Sequence, residues 1–367
     1  MSAIQAGRFV SEENKVVRDP ANIRPEYEVR PGDLLMTRAN TESLVGLACV
    51  AKAPGKQLML SDKTLRLKVD EAVADPAFVR LVLGHPATRK QIQAVATGTS
   101  AGMKNIGQRQ VRELKVPHLP LPEQRDIVAA HEAFERRIGN LERVAQKRST
   151  LLSAAVSALL RRQDSSDTTL ETMMMSCEPG ITLGAHRVPQ KRATGYLRVA
   201  NVRMGWLDTS DVAVLESTSS DRPRYELVAG DVLVVEGHAN PEQIGRAALV
   251  GPAEEGLLYQ NHLFRLRFDR DEVVPEFAML WLNSEAVRSY WISRCATSSG
   301  LYTINSKLLA DAPFPVVAIE EQRKIVETWR TGIRAVDSLH GQIAKLRTIQ
   351  QGVIEDLLSG RSRVNRT

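Results

Sequence analysis

The sequence predicts an α+β protein built by tandem duplication. In each copy a domain of short strands and helices is followed by one long helix. The two long helices are expected to pack on each other as an antiparallel coiled coil. Two observations carry this expectation: two long proline-free stretches in a heptad rhythm, and motifs in the two halves that match at an offset of 198 or 199 residues.

The first long stretch, 122–162, opens at Pro122 and then has no proline up to Arg162. Proline suits the first turn of a helix and is expelled from its interior, so the helix should begin there. Ile138, Leu141, Ala145, Leu152, Ala155 and Leu159 recur at alternating spacings of three and four, with Arg148 in the missing place. That is a coiled-coil seam. The second stretch, 319–360, repeats it with Val336, Leu339, Ile343, Leu346, Val353 and Leu357, and Gln350 as its polar position. One such helix alone would bury its stripe in its own domain. Two at a fixed offset are expected to pair, each a rod of roughly 60 Å at about 1.5 Å per residue.

Glu123-Gln124-Arg125 and Ile127-Val128 in the first helix match Glu321-Gln322-Arg323 and Ile325-Val326 in the second. Earlier, 27–35 (YEVRPGDLL) matches 225–233 (YELVAGDVL), and each Gly-Asp should form a tight turn feeding an apolar strand. The next strands, 44–51 and 243–250, set Gly46 against Gly245, and 63–70 then aligns with 263–269. Helical segments follow Pro76 and Pro275, and a small, polar stretch (96–111 and 296–309) precedes each long helix. The first copy picks up only at Ile4–Phe9, matching 202–207, so its domain is expected to be N-terminally incomplete. The expected organisation is a first domain over 1–121, a helix over 122–162 and an aperiodic polar linker over 163–179. A second domain over 180–318, a helix over 319–360 and a tail over 361–367 complete it.

Composition bounds the function. A chain of 367 residues, 43% hydrophobic and 25% charged, can build two or three real cores. No apolar run is long enough to span a bilayer. Cys49, Cys177 and Cys295 are isolated, which argues against a disulfide framework or a zinc site and fits a cytoplasmic location. A net charge of +6 is compatible with nucleic acid. GTSAGMK (98–104) lacks the spacing and Lys-Ser/Thr pair of a phosphate loop, and no Gly-x-Gly-x-x-Gly fingerprint occurs. His118 and His131 read as surface or packing residues. No catalytic constellation emerges, so the chain is not expected to be an enzyme.

The proline-flanked Glu-Gln-Arg-x-Ile-Val helix starts after Pro117 and Pro315, the duplicated α/β regions and the Leu357-Leu358-Ser359-Gly360 ending resemble the specificity subunit of type I restriction-modification systems, which act in phage defence. The resemblance spans nearly the whole chain. It implies two target recognition domains, each a twisted sheet or partial barrel with short helices, each reading one half of a split site in double-stranded DNA. It also implies long helices that bind two modification methyltransferase subunits, with restriction translocase subunits joining the assembly. Cofactors are expected only in those partners, as S-adenosylmethionine and ATP, and none in this chain. Because the two halves differ in sequence, the site should be bipartite and not palindromic, with half-sites a helical turn or more apart.

Residue chemistry selects candidate DNA contacts. Thr99, Ser100, Lys104, Asn105, Gln108 and Arg109, and in the second copy Ser298, Ser299, Tyr302, Thr303, Asn305 and Lys307, combine phosphate donors with base-edge readers. A second group is Arg38 and Asn40, with Glu236, His238, Asn240, Gln260, Asn261 and His262; Glu236 could accept from cytosine. Arg187, Lys191, Arg192 and Arg198 suit backbone phosphates. Two other readings are a degraded subunit serving only as a scaffold and a stand-alone enzyme acting on DNA. The last would show activity as the purified chain.

Overall fold

The computed structural model describes residues 3–363 except 56, 101, 164–167 and 299, with the backbone alone at 99, 100, 296 and 298. The chain divides into two compact units, Met1–Arg143 with Leu339–Thr367, and Val144–Ser338. The long helices run over Leu121–Leu160 and Ile319–Ser359, so each unit holds part of both.

In the first unit the chain turns at Gly32, whose φ of 91° favours glycine, and the Asp33 carboxylate accepts from the Arg30 N–H at 2.8 Å. The turn feeds strand Leu34–Thr37, buried throughout. It pairs antiparallel with Ala48–Val50 on one side and Thr64–Leu67 on the other, setting Leu35 opposite Cys49 and Arg66. Arg66 reaches Asp33 at 3.0 Å and also donates to the carbonyls of Glu26 and Glu28. Helices Pro76–Gly84 and Pro86–Val95 pack against this sheet. Gly46 lies so close to the second of them that a Cβ would sit 2.6 Å from Ile92 Cγ2.

The second unit repeats this turn and sheet, except that the turn carboxylate, Asp231, is held by Arg267 at 2.7 Å. Gly230 has φ 97°, Asp231 accepts from the Val228 N–H at 3.0 Å, and strand Val232–Val235 is buried. It pairs with Ala247–Leu249 and Leu263–Phe268, with Arg265 opposite Leu233 and donating to the carbonyls of Arg224 and Glu226. A Cβ on Gly245 would lie 2.4 Å from the Trp291 ring. The core here is aromatic, with Phe314 against Phe268, Phe277 and Trp281. Neither unit closes a barrel among the described residues.

Two stretches depart from expectation. Residues 163–179, expected as linker, include helix Leu170–Met173 and strand Met174–Pro179, which adds a fourth strand beside Leu263–Phe268. An edge strand held by backbone pairing leaves little periodicity to read. The polar stretches before the long helices are not simple loops either. Each is a β-hairpin followed by a short helix: Thr97–Ser100, Met103–Asn105 and Gln108–Arg112, then Ala296–Ser298, Leu301–Thr303 and Ser306–Ala310.

The Glu-Gln-Arg motif fastens each long helix to the domain before it. Gln124 is buried, accepts from the Asp75 N–H at 2.9 Å and donates to the carbonyls of Val73 and Leu119 at 3.0 and 2.8 Å. Gln322 does the same with Val274 N–H at 2.9 Å and the carbonyls of Glu272 and Val317, both at 2.8 Å.

The helices pair antiparallel within each unit. In the first, Ile127 clusters with Ile354, Leu357 and Leu358, and Arg363 reaches Glu123. In the second, Val156 and Leu160 share a core with Ile325 and Val326, and Leu152 packs on Gly332. Ile138, Ala145, Val336, Leu339, Ile343 and Leu357 are buried along the seam. Leu141, Leu152, Leu159, Leu346 and Val353 are half-buried, whereas Ala155 is exposed. Gln350, the polar seam position, donates to Glu135 at 2.7 Å, and Arg347 pairs with Glu142 at 2.5 Å. The helix ends bury additional residues, Val156, Leu160, Ile354 and Leu358, because there each helix packs on its partner and on a domain.

Candidate nucleic-acid interface

In each unit the strand leaving the central sheet crosses into a second, three-stranded sheet. In the first, Ala39–Asn40 pairs with Met103–Asn105, which pairs with Thr97–Ser100; Ala39 faces Asn105 and Asn40 faces Lys104. In the second, Gly237–His238 pairs with Leu301–Thr303, which pairs with Ala296–Ser298; Gly237 faces Thr303 and His238 faces Tyr302. Two candidate groups distant in sequence therefore meet on one sheet, in both copies.

Backbone bonds fix the equivalence. Arg38 N–H donates to the Lys63 carbonyl at 2.8 Å and its carbonyl accepts from Ile106 N–H at 2.9 Å. Glu236 N–H donates to the His262 carbonyl at 3.1 Å and its carbonyl accepts from Ile304 N–H at 2.9 Å. On identical scaffolds the side chains differ in kind. The first copy carries exposed Arg38, joined by its backbone to Lys63, whose ammonium lies 3.1 Å from Asp62, with Asn40 and Lys104 half-buried on the paired strands. The second carries Glu236, whose carboxylate lies 2.9 Å from His262 Nδ1, with His238 and Tyr302 alongside. Lys63 was missed by sequence reasoning, although it aligns with His262 at an offset of 199.

The remaining candidates are placed as follows. Gln108 and Arg109 are exposed on the short helix, Arg109 paired with Glu113 at 2.8 Å. Thr99, Ser100 and Ser298 lie on hairpin strands, their side chains not described, and Ser299 falls outside the described residues. Asn40 Oδ1 accepts from Thr41 N–H at 2.9 Å. Asn240 and Asn305 are caps: Asn240 accepts from Glu242 N–H at 2.9 Å and Asn305 from Leu308 N–H at 2.7 Å. Lys307 is exposed beside the latter. Gln260 and Asn261 are half-buried, their N–H groups bonded to the carbonyls of Leu197 and Ile181 at 3.0 and 2.9 Å.

The basic stretch lies on a different sheet, where Ala193–Leu197 pairs with Ala213–Glu216 and Leu258–Tyr259. Arg187 is committed to Asp221, with two bonds at 2.5 and 3.1 Å. Burial opposes ionisation of Asp221, but the bonds from Arg187 and Thr218 prevail and hold its carboxyl below the usual range. Arg198 pairs with Asp211 at 2.8 Å. Lys191 and Arg192 are exposed, and their backbone N–H groups, with that of Gln190, cradle the Glu216 carboxylate and lower its pKa. Of the four cations only Lys191 and Arg192 keep a free head group.

Among the described residues no cluster of His, Cys, Asp and Glu has metal-binding geometry, and no helix is long and apolar enough to cross a membrane.

No protein-family profile matches the chain. It is 23% identical over 380 residues to the EcoKI type I restriction enzyme specificity subunit of Escherichia coli K12, covering 97% of this chain and 80% of the relative. It is 20% identical over 374 residues to the StySPI specificity subunit of Salmonella potsdam, covering 97% and 79%. To the EcoEI specificity subunit of Escherichia coli it is 29% identical over 133 residues, 36% of this chain and 22% of the relative. In fold it is similar to a solved chain of a type I restriction-modification system, with a TM-score of 0.57 at 16% identity, covering 90% of this chain and 82% of the other. Duplicated α/β domains on a pair of long helices are thus a fold similar to that of the solved chain. The curated relatives of this chain are type I restriction enzyme specificity subunits, the family that the sequence resembles.

Proposed function

We propose that this chain is the DNA sequence-specificity subunit of a type I restriction-modification complex. It reads a bipartite, non-palindromic site in double-stranded DNA with its two unlike sheets. Its paired helices scaffold two methyltransferase subunits, and through them the restriction translocase subunits. S-adenosylmethionine and ATP are used by those partners.

The observation that carries the reading is the contrast between equivalent positions. Arg38 and Lys63 in one unit correspond to Glu236 and His262 in the other on matching backbone bonds. Guanidinium and ammonium groups seek phosphates and the O6/N7 edge of guanine, whereas a carboxylate accepts from the amino group of cytosine. Two such surfaces cannot favour the same half-site. The test is to co-express the chain with its methyltransferase partner and map methylated bases in host DNA. A split motif with unlike halves is expected, and a continuous or palindromic motif would overturn the reading.

A further inference from the structure

The first unit contains a cavity of about 710 Å³ between helix Pro76–Gly84 and the paired long helices. Arg80, His85 and His131 line it together with the apolar side chains of Leu81, Ile138 and Ile354. Arg80 is half-buried and makes no hydrogen bond or ion pair with any described residue. His85 Nδ1 accepts from Ala87 N–H at 3.3 Å, which leaves the ring proton on Nε2, a buried donor with no partner. His131 Nδ1 is likewise buried and unpartnered. Buried polar groups are normally satisfied, and each exception calls for a reason.

The second unit shows that the fold does not require these groups. Met279, Ser284 and Trp329 stand at the positions equivalent to Arg80, His85 and His131. Met279 is fully buried, and Trp329 packs against the same aromatic core. Local geometry confirms the match. A Cβ on Gly7 would meet Arg80 Nη1 at 3.0 Å, and one on Gly205 would meet Met279 Sδ at 3.8 Å. The first unit therefore carries a half-buried cation and two unpaired ring nitrogens about a cavity, where the second carries the buried Met279 and the half-buried Trp329.

We infer that this cavity is a binding site for a small organic anion, a carboxylate or phosphate carried on an apolar body. The oxyanion accepts from the Arg80 guanidinium, and the body lies against Leu81, Ile138 and Ile354. Desolvation lowers the Arg80 pKa, with Glu135 and Glu132 partly opposing it, so a bound anion relieves a cost already present in the empty site. The volume suits a ligand of metabolite size.

The test is calorimetry on the full-length chain at constant ionic strength. The probes are phenyl phosphate and benzoate, with benzyl alcohol as the neutral control. Saturable binding of at least one anion is expected, and the tighter of the two tells whether phosphate or carboxylate is the preferred group. Arg80→Met, which installs the residue of the second copy, should weaken binding at least tenfold while leaving the far-ultraviolet circular dichroism unchanged. Should that variant fold poorly, Arg80→Gln makes the same comparison with an expected loss of several-fold. Absence of saturable binding by both anions overturns the inference, as does equal binding of benzyl alcohol. Undiminished binding by the folded variants does so too.

Discussion

Gln124 and Gln322 do a job that their position in an exposed-looking Glu-Gln-Arg motif hides. Each closes three hydrogen bonds to backbone groups of the preceding domain while buried. Removing such an amide leaves donors and acceptors unpaired in a dry site, at about 1–3 kcal/mol for each group. Gln322→Ala should therefore lower stability by roughly 3 kcal/mol or more, read as a shifted urea midpoint at unchanged slope. A change under about 0.5 kcal/mol would refute the fastening role. A second residue-scale outcome concerns Cys49, fully buried in the sheet, whose thiol burial pushes up to about 11 against a small opposing effect of Arg80. In the unfolded chain it ionises near pH 8.5. Its folded value is raised, so its contribution to stability is complete below about 8.5 and is lost as pH climbs toward about 11. Cys49→Ala should flatten that alkaline decline, and iodoacetamide at pH 8 should leave Cys49 of the folded chain unmodified, as peptide mass mapping would show.

At the scale of elements, what the sequence made legible was whatever periodicity or duplication marks. The long helices announced themselves through proline placement and the 3-4 rhythm, and the Gly-Asp turns through their repeat. The hairpins 97–105 and 296–303 did not, because short polar strands paired through backbone bonds need no alternating side chains. Nor did strand Met174–Pro179, whose burial follows no strict alternation. The seam was legible only where a helix meets another helix. Toward the ends Val156, Leu160, Ile354 and Leu358 are buried as well, since a domain presses on a second face. The candidate interface was legible as two groups of residues; that a single sheet joins them depends on pairing no local pattern encodes. Asn240 and Asn305 show the cost of reading side-chain type alone, for both are occupied as caps. Gly332 offers an element-scale test: a Cβ there would lie 2.3 Å from Leu152 Cδ1. Gly332→Leu should overpack the helix pair and lower stability by about 1–3 kcal/mol. Gly332→Ala should be close to neutral, since its gain in helix propensity of about 1 kcal/mol offsets a small displacement of Leu152. Equal stability of both variants to wild type would show that the helices do not approach closely there.

For the whole molecule, the proposed function raises the question of how the chain acquires its hold on DNA. Each unit offers a small three-stranded sheet, and much of the nearby positive charge is neutralised internally, as with Arg187 on Asp221 and Arg198 on Asp211. Few free cations release few counterions, so the lone chain should bind duplex DNA weakly and gain affinity when methyltransferase subunits add their own surfaces. Tight, sequence-specific binding by the isolated chain in a filter or anisotropy assay would contradict this dependence. In the proposed function the helix pair is the element that assembly relies on, and Leu339 and Ile343 sit buried on it at 8% and 6% exposure. Changing both to Asp places two carboxylates in an apolar seam, and burying such charge costs far more than losing the two side chains' apolar burial, about 1.5–3 kcal/mol each. The helices should separate, and co-purification with the methyltransferase should fail. A matched Leu339→Ala, Ile343→Ala variant, which removes bulk without adding charge, should retain measurable assembly. If the doubly acidic chain assembled as well as wild type, the seam would not be where the two helices are held together, and the scaffold reading would lose its structural basis.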